Sequence, residues 1–260
     1  MESNLAQHFR RDEEAFIETA TDLINEASEE YRPVLTHFLN PRQVFILTTI
    51  VNGNDNVKMQ PYGGYPGAEL NRVLIYPEYF EPKKTDFEVT LFEIIYPTKF
   101  ADLHHSQVLG TLANIGVDRE VIGDIITDGE RWQFFVETGI TSYFENQVDQ
   151  IGKIKVHLTP KENSEAVEPL NEWEEEGATL SSIRLDSIVA TAFHLSRHRS
   201  KALVEAGKVR VNWAESNKPD YELAIADIVS IRGFGRIKLI SLDGQTKKEK
   251  TRVTLAVLRK

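Results

Sequence analysis

Apolar positions in the first 40 residues recur at helical spacing. Ala15, Phe16, Ala20, Leu23, Ile24 and Ala27 mark one face, Asp12 stands where a cap is needed, and Glu13 and Glu14 suit the positive end of the helix dipole. Pro33 is placed to open a second short helix that stops at Asn40-Pro41, which makes 12–39 helical. Residues 44–51 (VFILTTIV) form a continuous apolar, β-branched run ended by Asn52-Gly53; it reads as a strand, with a helix as the alternative. A Gly/Pro/Tyr-rich loop follows at 60–67 (QPYGGYPG), then a short strand at 72–76 before Pro77.

Residues 86–158 have a clearer rhythm. The alternation of 86–96 predicts a strand, 105–115 a helix that Gly116 can end, and 121–127 with 132–137 two strands around the Asp128-Gly129 turn. A helix over 139–151 and a strand over 153–158 complete the order β-α-β-β-α-β, the ferredoxin-like pattern that RNA-recognition folds also use. Residues 163–177 are acidic, carry Pro169 and lack periodicity, so they read as a linker in which Trp173 pins the arm to a neighbouring surface. Beyond it, 183–195 and 197–206 read as helices, with Gly207 after the second. Strands are expected at 208–213, 227–232, 236–240 and 251–258. The fold class is α+β, in four parts: an N-terminal α/β domain at 1–77, an RRM-like domain at 78–160 expected to supply a second, weaker RNA or ribosome surface, an acidic linker at 161–180, and a C-terminal domain of two helices on a small antiparallel sheet at 181–260.

Composition changes this picture in two places. There is no cysteine, which excludes a disulfide scaffold, a thiol nucleophile, an iron–sulfur cluster and Cys-ligated zinc, and fits a reducing cytosol. The N-terminus lacks the apolar core of a secretory signal, and no run of about 18 apolar residues is long enough for a membrane span. The net charge of −10 argues against nucleic acid until the chain is divided. Residues 181–260 hold 16 Lys and Arg against 8 Asp and Glu, a net +8, while residues 1–180 carry −18. A basic C-terminal third on an acidic body is the distribution expected of a nucleic-acid module, although a charge run by itself is most often a solvated face.

The candidate chemistry sits in residues 184–213. Ser196 can cap the second helix there and leave amide N–H groups and the positive dipole end outward. Arg197, Arg199, Lys201, Lys208 and Arg210 lie on or just past that helix, a phosphate-binding arrangement by geometry as well as charge. Asn212 and Trp213 offer a polar edge and an aromatic plane to an unstacked base. The ordered run Arg184-Leu185-Asp186, Leu195-Ser196-Arg197, Ser200-Lys201-Ala202 and 205–212 (EAGKVRVN) resembles the S4 RNA-binding domain over about 182–240. It departs in one place, with Ala226-Asp227 where that family usually has Gly-Asp. The resemblance carries RNA contact onto Arg184, Ser196, Arg197, Arg199, Ser200, Lys201, Lys208, Arg210, Asn212, Trp213, Arg232, Arg236 and Lys238.

The segments 62–77, 86–125 and 232–239 further resemble the bacterial YlmH-type proteins. That resemblance implies a cytoplasmic, non-enzymatic RNA-binding protein. Its implied partners are rRNA or tRNA and the large ribosomal subunit, in rescue or quality control of stalled nascent chains.

Competing readings stay open beside it. Arg184 either contacts RNA or pairs with Asp186 or Glu205. Phe234 either stacks on a base or plugs the core, and of Lys208, Arg210 and Lys238 two should face outward. His104-His105 beside Asp102 suggests metal or acid–base chemistry, but adjacent side chains share no helix face and no third ligand is near; His105 is expected to cap the helix that follows. His194 and His198 add to the RNA surface. The 60–67 loop lacks the Gly-Lys-Ser/Thr ending of a P-loop, so it reads as a structural turn or an RNA or ribosome contact. A pseudouridine-synthase-like RNA-modifying enzyme is the first alternative, with no catalytic residue, cofactor or metal ligand recognisable. The second is an adaptor for cell-division proteins, with a protein partner on the acidic body. RNA contacts on that body would depend on local geometry at residues such as Lys99, Arg119 and Arg131.

Overall fold

A computed structural model describes residues 9–170 and 173–259. The residues up to Leu170 form one compact unit and those from Trp173 on a second.

The first unit opens with a 3-10 turn, Arg11–Glu13, that runs into helix α1, Glu14–Glu29. The N-terminal cap of the turn is Arg10, not Asp12, because the Glu13 side chain reaches back to the Arg10 backbone N–H. Glu13 also accepts from Arg42 Nε at 2.8 Å and Nη2 at 3.0 Å, in a nearly dry site. Burial alone would raise its carboxyl, but hydrogen bonds from Arg42 and the Arg10 backbone, with both guanidinium charges, hold it below the usual value. The sign follows from linkage: a depressed carboxyl stabilises the fold above its unfolded value, and that contribution is lost as pH falls through the folded one. Glu13→Gln is therefore expected to lower the urea midpoint at neutral pH, by an amount that shrinks as the pH is taken down to about 3. A gap between wild type and variant that stayed constant with pH would refute this assignment.

The second predicted helix is a strand, β1, Val34–Leu39. Tyr31, at φ 52°, ends the helical path, and the alternation of VLTHFL buries Val34, Thr36, Phe38 and Leu39 on pairing with β3. The predicted strand is conversely a helix, α2, Pro41–Val51. Its start is written in the sequence: Asn40 accepts from the Gln43 N–H, Gln43 returns the bond to the Asn40 N–H, and Pro41 takes the first helical position. Strands β2, Val57–Tyr62, and β3, Asn71–Pro77, complete a three-stranded antiparallel sheet of order β1-β3-β2, against which α1 and α2 pack.

The rest of the unit carries β4 (Val89–Ile95), α3 (His105–Ala113), β5 (Ile122–Thr127), β6 (Trp132–Glu137) and α4 (Thr141–Gln147). A small ribbon of β7 (Gln150–Ile151) and β8 (Ile154–Lys155) and then β9 (His157–Lys161) follow. The sheet order β5-β6-β4-β9, all antiparallel, is the ferredoxin-like one. The expected fourth helix is shorter than read, because the chain turns into the β7–β8 ribbon. Phe92, Ile94, Val108, Leu112, Phe134, Phe144 and Leu158 fill the core between sheet and helices.

The opposite sheet face is the one RNA-recognition folds use to stack bases. Here it is covered. Leu91, Gln133 and Phe135 lie on it and are fully buried. Tyr65, from the Gly/Pro/Tyr-rich loop, stacks on Phe135 at 5.2 Å, and the chain after β9 lays Val167 over Gln133, whose side chain takes the Val167 N–H and donates to the Glu165 carbonyl. Gly64 makes the stacking possible: at φ 100° it passes so near Phe135 that a Cβ would sit 2.3 Å from the ring. The 60–67 stretch is thus part strand and part structural loop. Its anchor is Asp124, which accepts from the Tyr65 hydroxyl (2.8 Å), the Glu69 N–H (2.6 Å) and the Leu70 N–H (3.1 Å).

The described residues of the acidic stretch 161–180 do not form a free linker: they hold a 3-10 turn, Asn163–Glu165, the covering segment just described, and strand β10, Glu174–Leu180. Strand β10 opens the second unit and pairs with its last strand. The order after β10 is α5 (Leu185–Ala192), α6 (Arg197–Glu205), β11 (Val209–Val211), β12 (Ala214–Glu215), β13 (Ile228–Ile231), β14 (Gly235–Gln245) and β15 (Thr251–Arg259). Six antiparallel strands in the order β10-β15-β14-β13-β11-β12 curl around α5 and α6. Gly235 is required at the β13–β14 bend, since a Cβ there would meet the Leu258 carbonyl at 1.9 Å. At the departure from the S4 pattern, Ala226 adopts the left-handed conformation (φ 70°) that glycine takes without strain, so the turn keeps its shape.

Candidate nucleic-acid interface

The basic helix is built as its sequence indicates. Ser196 caps α6, its side chain accepting from the Arg199 N–H at 3.2 Å, so the first turn presents Arg197, His198 and Arg199 at the positive end of the dipole. Beneath it, the nearly buried Asp186 organises two guanidinium groups. It receives Arg184 Nε at 3.3 Å and Arg197 Nη2 at 3.5 Å, while both arginines keep solvent-facing surface. Of the alternatives weighed for Arg184, the pair with Asp186 is formed, and its side chain stays partly exposed. Arg199 lies 5.6 Å above the ring of Phe234, which in turn packs on Phe193 at 5.7 Å. Phe234 is thus a core plug that carries a cation on its outer face. Lys201 is exposed, 3.6 Å from Glu205.

Lys208, Arg210 and Arg232 are exposed, and the Arg232 N–H bonds to the Lys208 carbonyl, which puts these two beside one another. Arg236 and Lys238 lie on β14 and are half-buried against tryptophan rings. Arg184, Arg197, Arg199 and Lys201 form a cluster around the helix hairpin, whereas Arg210, Arg236 and Lys238 belong to the sheet.

Two predicted contacts are turned inward. Ser200 is fully buried and donates to the Asp186 carbonyl at 2.7 Å, tying α6 to the start of α5. Asn212 donates to Asp227 Oδ1 at 2.8 Å and accepts from the Ile228 N–H at 2.9 Å, so its amide is consumed in holding the sheet. Asn212 and Trp213 are not strand residues. They are the two left-handed residues (φ 47° and 68°) of the tight turn joining β11 to β12.

The other candidates resolve simply. His104, not His105, holds the N-cap position of α3, with the Gln107 side chain accepting from its N–H, and the His105 ring lies 6.5 Å from Trp132. Arg119 donates to the Ile122 carbonyl and Arg131 pairs with Asp128 at 3.0 Å, so both serve local structure. Trp173, expected to pin the arm to a neighbouring surface, has Lys238 Nζ 4.4 Å from its ring centre, a partner the sequence did not indicate. Sequence reasoning passed over one feature. The exposed lysines Lys247, Lys248 and Lys250 cap the β14–β15 hairpin. At its root, hydroxyl hydrogen bonds from Ser241 and Thr254 hold the Asp243 carboxyl below its ordinary range.

Comparison with known proteins settles the family. A curated protein of Bacillus subtilis (strain 168), named "Ribosome-associated protein quality control protein P2", is 40% identical over 252 residues, 97% of this chain and 98% of its own length. The chain belongs to the YlmH family. Three family descriptions fall along it: "YlmH, N-terminal" at residues 12–80, "Putative RNA-binding domain in YlmH" at 82–165, and "S4 domain" at 183–229. Among solved structures it resembles "Cell division protein ylmH from Streptococcus pneumoniae", with a TM-score of 0.55 and 33% identity, over 62% of this chain and 98% of that one. Among the described residues no helix is long and apolar enough to cross a membrane. The YlmH match over 82–165 includes strands β4, β5, β6 and β9, one face of whose sheet is covered by the loop and the segment described above.

Proposed function

We propose that this chain is a non-enzymatic RNA-binding protein. It grips ribosomal or transfer RNA through the S4 unit, on the large ribosomal subunit in the cytoplasm, and acts in rescue or quality control of stalled nascent chains. The observation that carries the reading is the cluster of Arg184 and Arg197 on one buried Asp186, with Arg199 and Lys201 on the same capped helix. Phosphate oxygens match such a cluster: several cations at fixed spacing beside a helix N-terminus recognise backbone without needing base identity. The name of the Bacillus relative supports the ribosomal setting, and the charge of −18 on residues 1–180 leaves the basic unit as the electrostatic contact.

Binding of the full chain to large ribosomal subunits, and to tRNA, measured across a salt series tests the proposal. Log affinity is expected to fall linearly with log salt, with a slope of about 0.9 for each phosphate neutralised. Affinity indifferent to salt would overturn it. The name of the Streptococcus protein favours a second reading, an adaptor for division proteins through the acidic body. Pull-down with the full chain separates the two, since ribosomal material alone would speak against the adaptor.

A further inference from the structure

The cations of the S4 unit divide between two sides of one sheet. Val209, Val211, Val229, Ile231, Ile237 and Leu239 turn towards α5 and α6 and are buried there. Register then places Arg210 opposite Ser230, Ser230 opposite Arg236, and Ile228 opposite Lys238, all on the face away from the helices. Two indole rings stand with these cations. The Arg236 guanidinium carbon lies 5.8 Å from the Trp213 ring centre and 5.6 Å from that of Trp173, and Lys238 Nζ lies 4.4 Å from Trp173. The array runs Trp213, Arg236, Trp173, Lys238, and both rings keep part of their surface in solvent.

Packing alone explains this arrangement poorly. The second position of a two-residue turn of this type is the usual place for glycine, and a side chain with φ 68° costs about 1 kcal/mol or more. A tryptophan held there, half-exposed, is strain kept at a site that has a use for the ring. Both rings also hold cations in place, so stacking surface and phosphate-binding charge are already assembled together.

We propose that this outer sheet face is a second RNA subsite, which takes one or two unpaired nucleotides with their bases on Trp213 and Trp173 and their phosphates on Arg236, Lys238 and Arg210. Duplex RNA would gain little from it, because paired bases bury their faces against one another; an unstacked nucleotide offers a free face to an indole. The subsite rests on the RNA-binding reading above, and adds to it that the preferred RNA carries a single-stranded segment next to the stem gripped by the helix cluster.

Two RNAs with the same stem-loop, one blunt and one with a short unpaired 3′ extension, distinguish these ideas in the full chain. Wild type is expected to bind the extended RNA about tenfold or more tightly than the blunt one, as one or two stacked bases would give. Trp173→Ala with Trp213→Ala is expected to bring the extended RNA to the blunt level. Trp213→Gly relaxes the turn and should lose its share of the preference with the fold intact, which separates stacking from misfolding. Tryptophan emission gives an independent readout, because the remaining tryptophan, Trp132, is 8% exposed and lies in the first unit. An unpaired oligonucleotide should quench wild-type emission and not that of the double variant. Equal affinity of wild type for both RNAs, or a double variant that keeps the preference, overturns the subsite and leaves the RNA reading standing. If wild type binds neither RNA, both fall.

Discussion

Alanine at Arg197, Arg199 and Lys201 together is expected to weaken binding to structured RNA about a hundredfold or more near physiological salt, and to flatten its salt dependence by about one unit of slope for each cation removed. The size follows from geometry. The three cations fall within five residues on one capped helix, and the side chains of Arg197 and Lys201 are 56% and 57% exposed, so they are positioned to meet phosphate directly. The structural cost should be small. Arg197 makes only a 3.5 Å contact with Asp186, which keeps Arg184, and the pair of Lys201 with Glu205 is a solvated one of little value. Thermal stability of the variant should accordingly lie near wild type while affinity collapses. Fluorescence anisotropy with labelled rRNA fragments over a salt series measures both affinity and slope. A variant that kept affinity and slope would remove the helix cluster from the RNA interface. Lysine at the two arginine positions should retain most of the slope, since slope counts charges, but lose affinity if the guanidinium forks meet phosphate in bidentate fashion.

Asp124→Ala is expected to destabilise the first unit by about 2–6 kcal/mol, the cost of leaving two backbone donors without their acceptor. Its carboxylate gathers the Tyr65 hydroxyl and the Glu69 and Leu70 N–H groups. Without it the two backbone donors remain in place, and each buried donor left unsatisfied costs about 1–3 kcal/mol. For a unit of this size the loss lowers the melting temperature by about 10 °C. The same change frees the loop from Phe135, so amide exchange should accelerate first at Glu69 and Leu70. Asp124→Asn should be milder, because one oxygen still accepts while its NH2 faces a donor. Asp128→Ala, on an exposed turn of the same sheet with Arg131, is the control and should cost less than about 1 kcal/mol. Unchanged stability in Asp124→Ala would show that the loop is held by stacking alone.

The pattern 86–158 was legible because alternation, turn residues and helix stops all agreed, and the chain adopts the ferredoxin-like order they indicated. In the region 33–51 the expected helix is a strand, and for VFILTTIV the helical alternative holds. VLTHFL has the period of a strand, and the reciprocal Asn40–Gln43 cap outweighs the β-branched character of VFILTTIV. A short apolar run has no periodicity to arbitrate with, and there the cap was the deciding local signal.

The candidate site divides in the same way. Its basic residues and its Ser196 cap follow from local sequence, since charge and capping act within a few residues. What local sequence does not contain is which way a polar side chain finally turns. Ser200 and Asn212 look like contacts in a basic motif, yet one ties two helices together and the other bridges to Asp227 across the sheet. The acidic stretch after β9 looked like a tether because its buried partners, Gln133 among them, lie some 30 residues earlier in the chain.

The sequence by itself determined the classes of structure, the charge asymmetry and the order of motifs, all consequences of composition and short-range spacing. Only the tertiary structure decided which faces remain open. It covered the middle sheet with a loop held by Asp124, and it brought Trp173 to Arg236 and Lys238 on a strand more than 60 residues away. Long-range packing selects among faces that are locally equivalent, and that selection fixes which of them stay exposed.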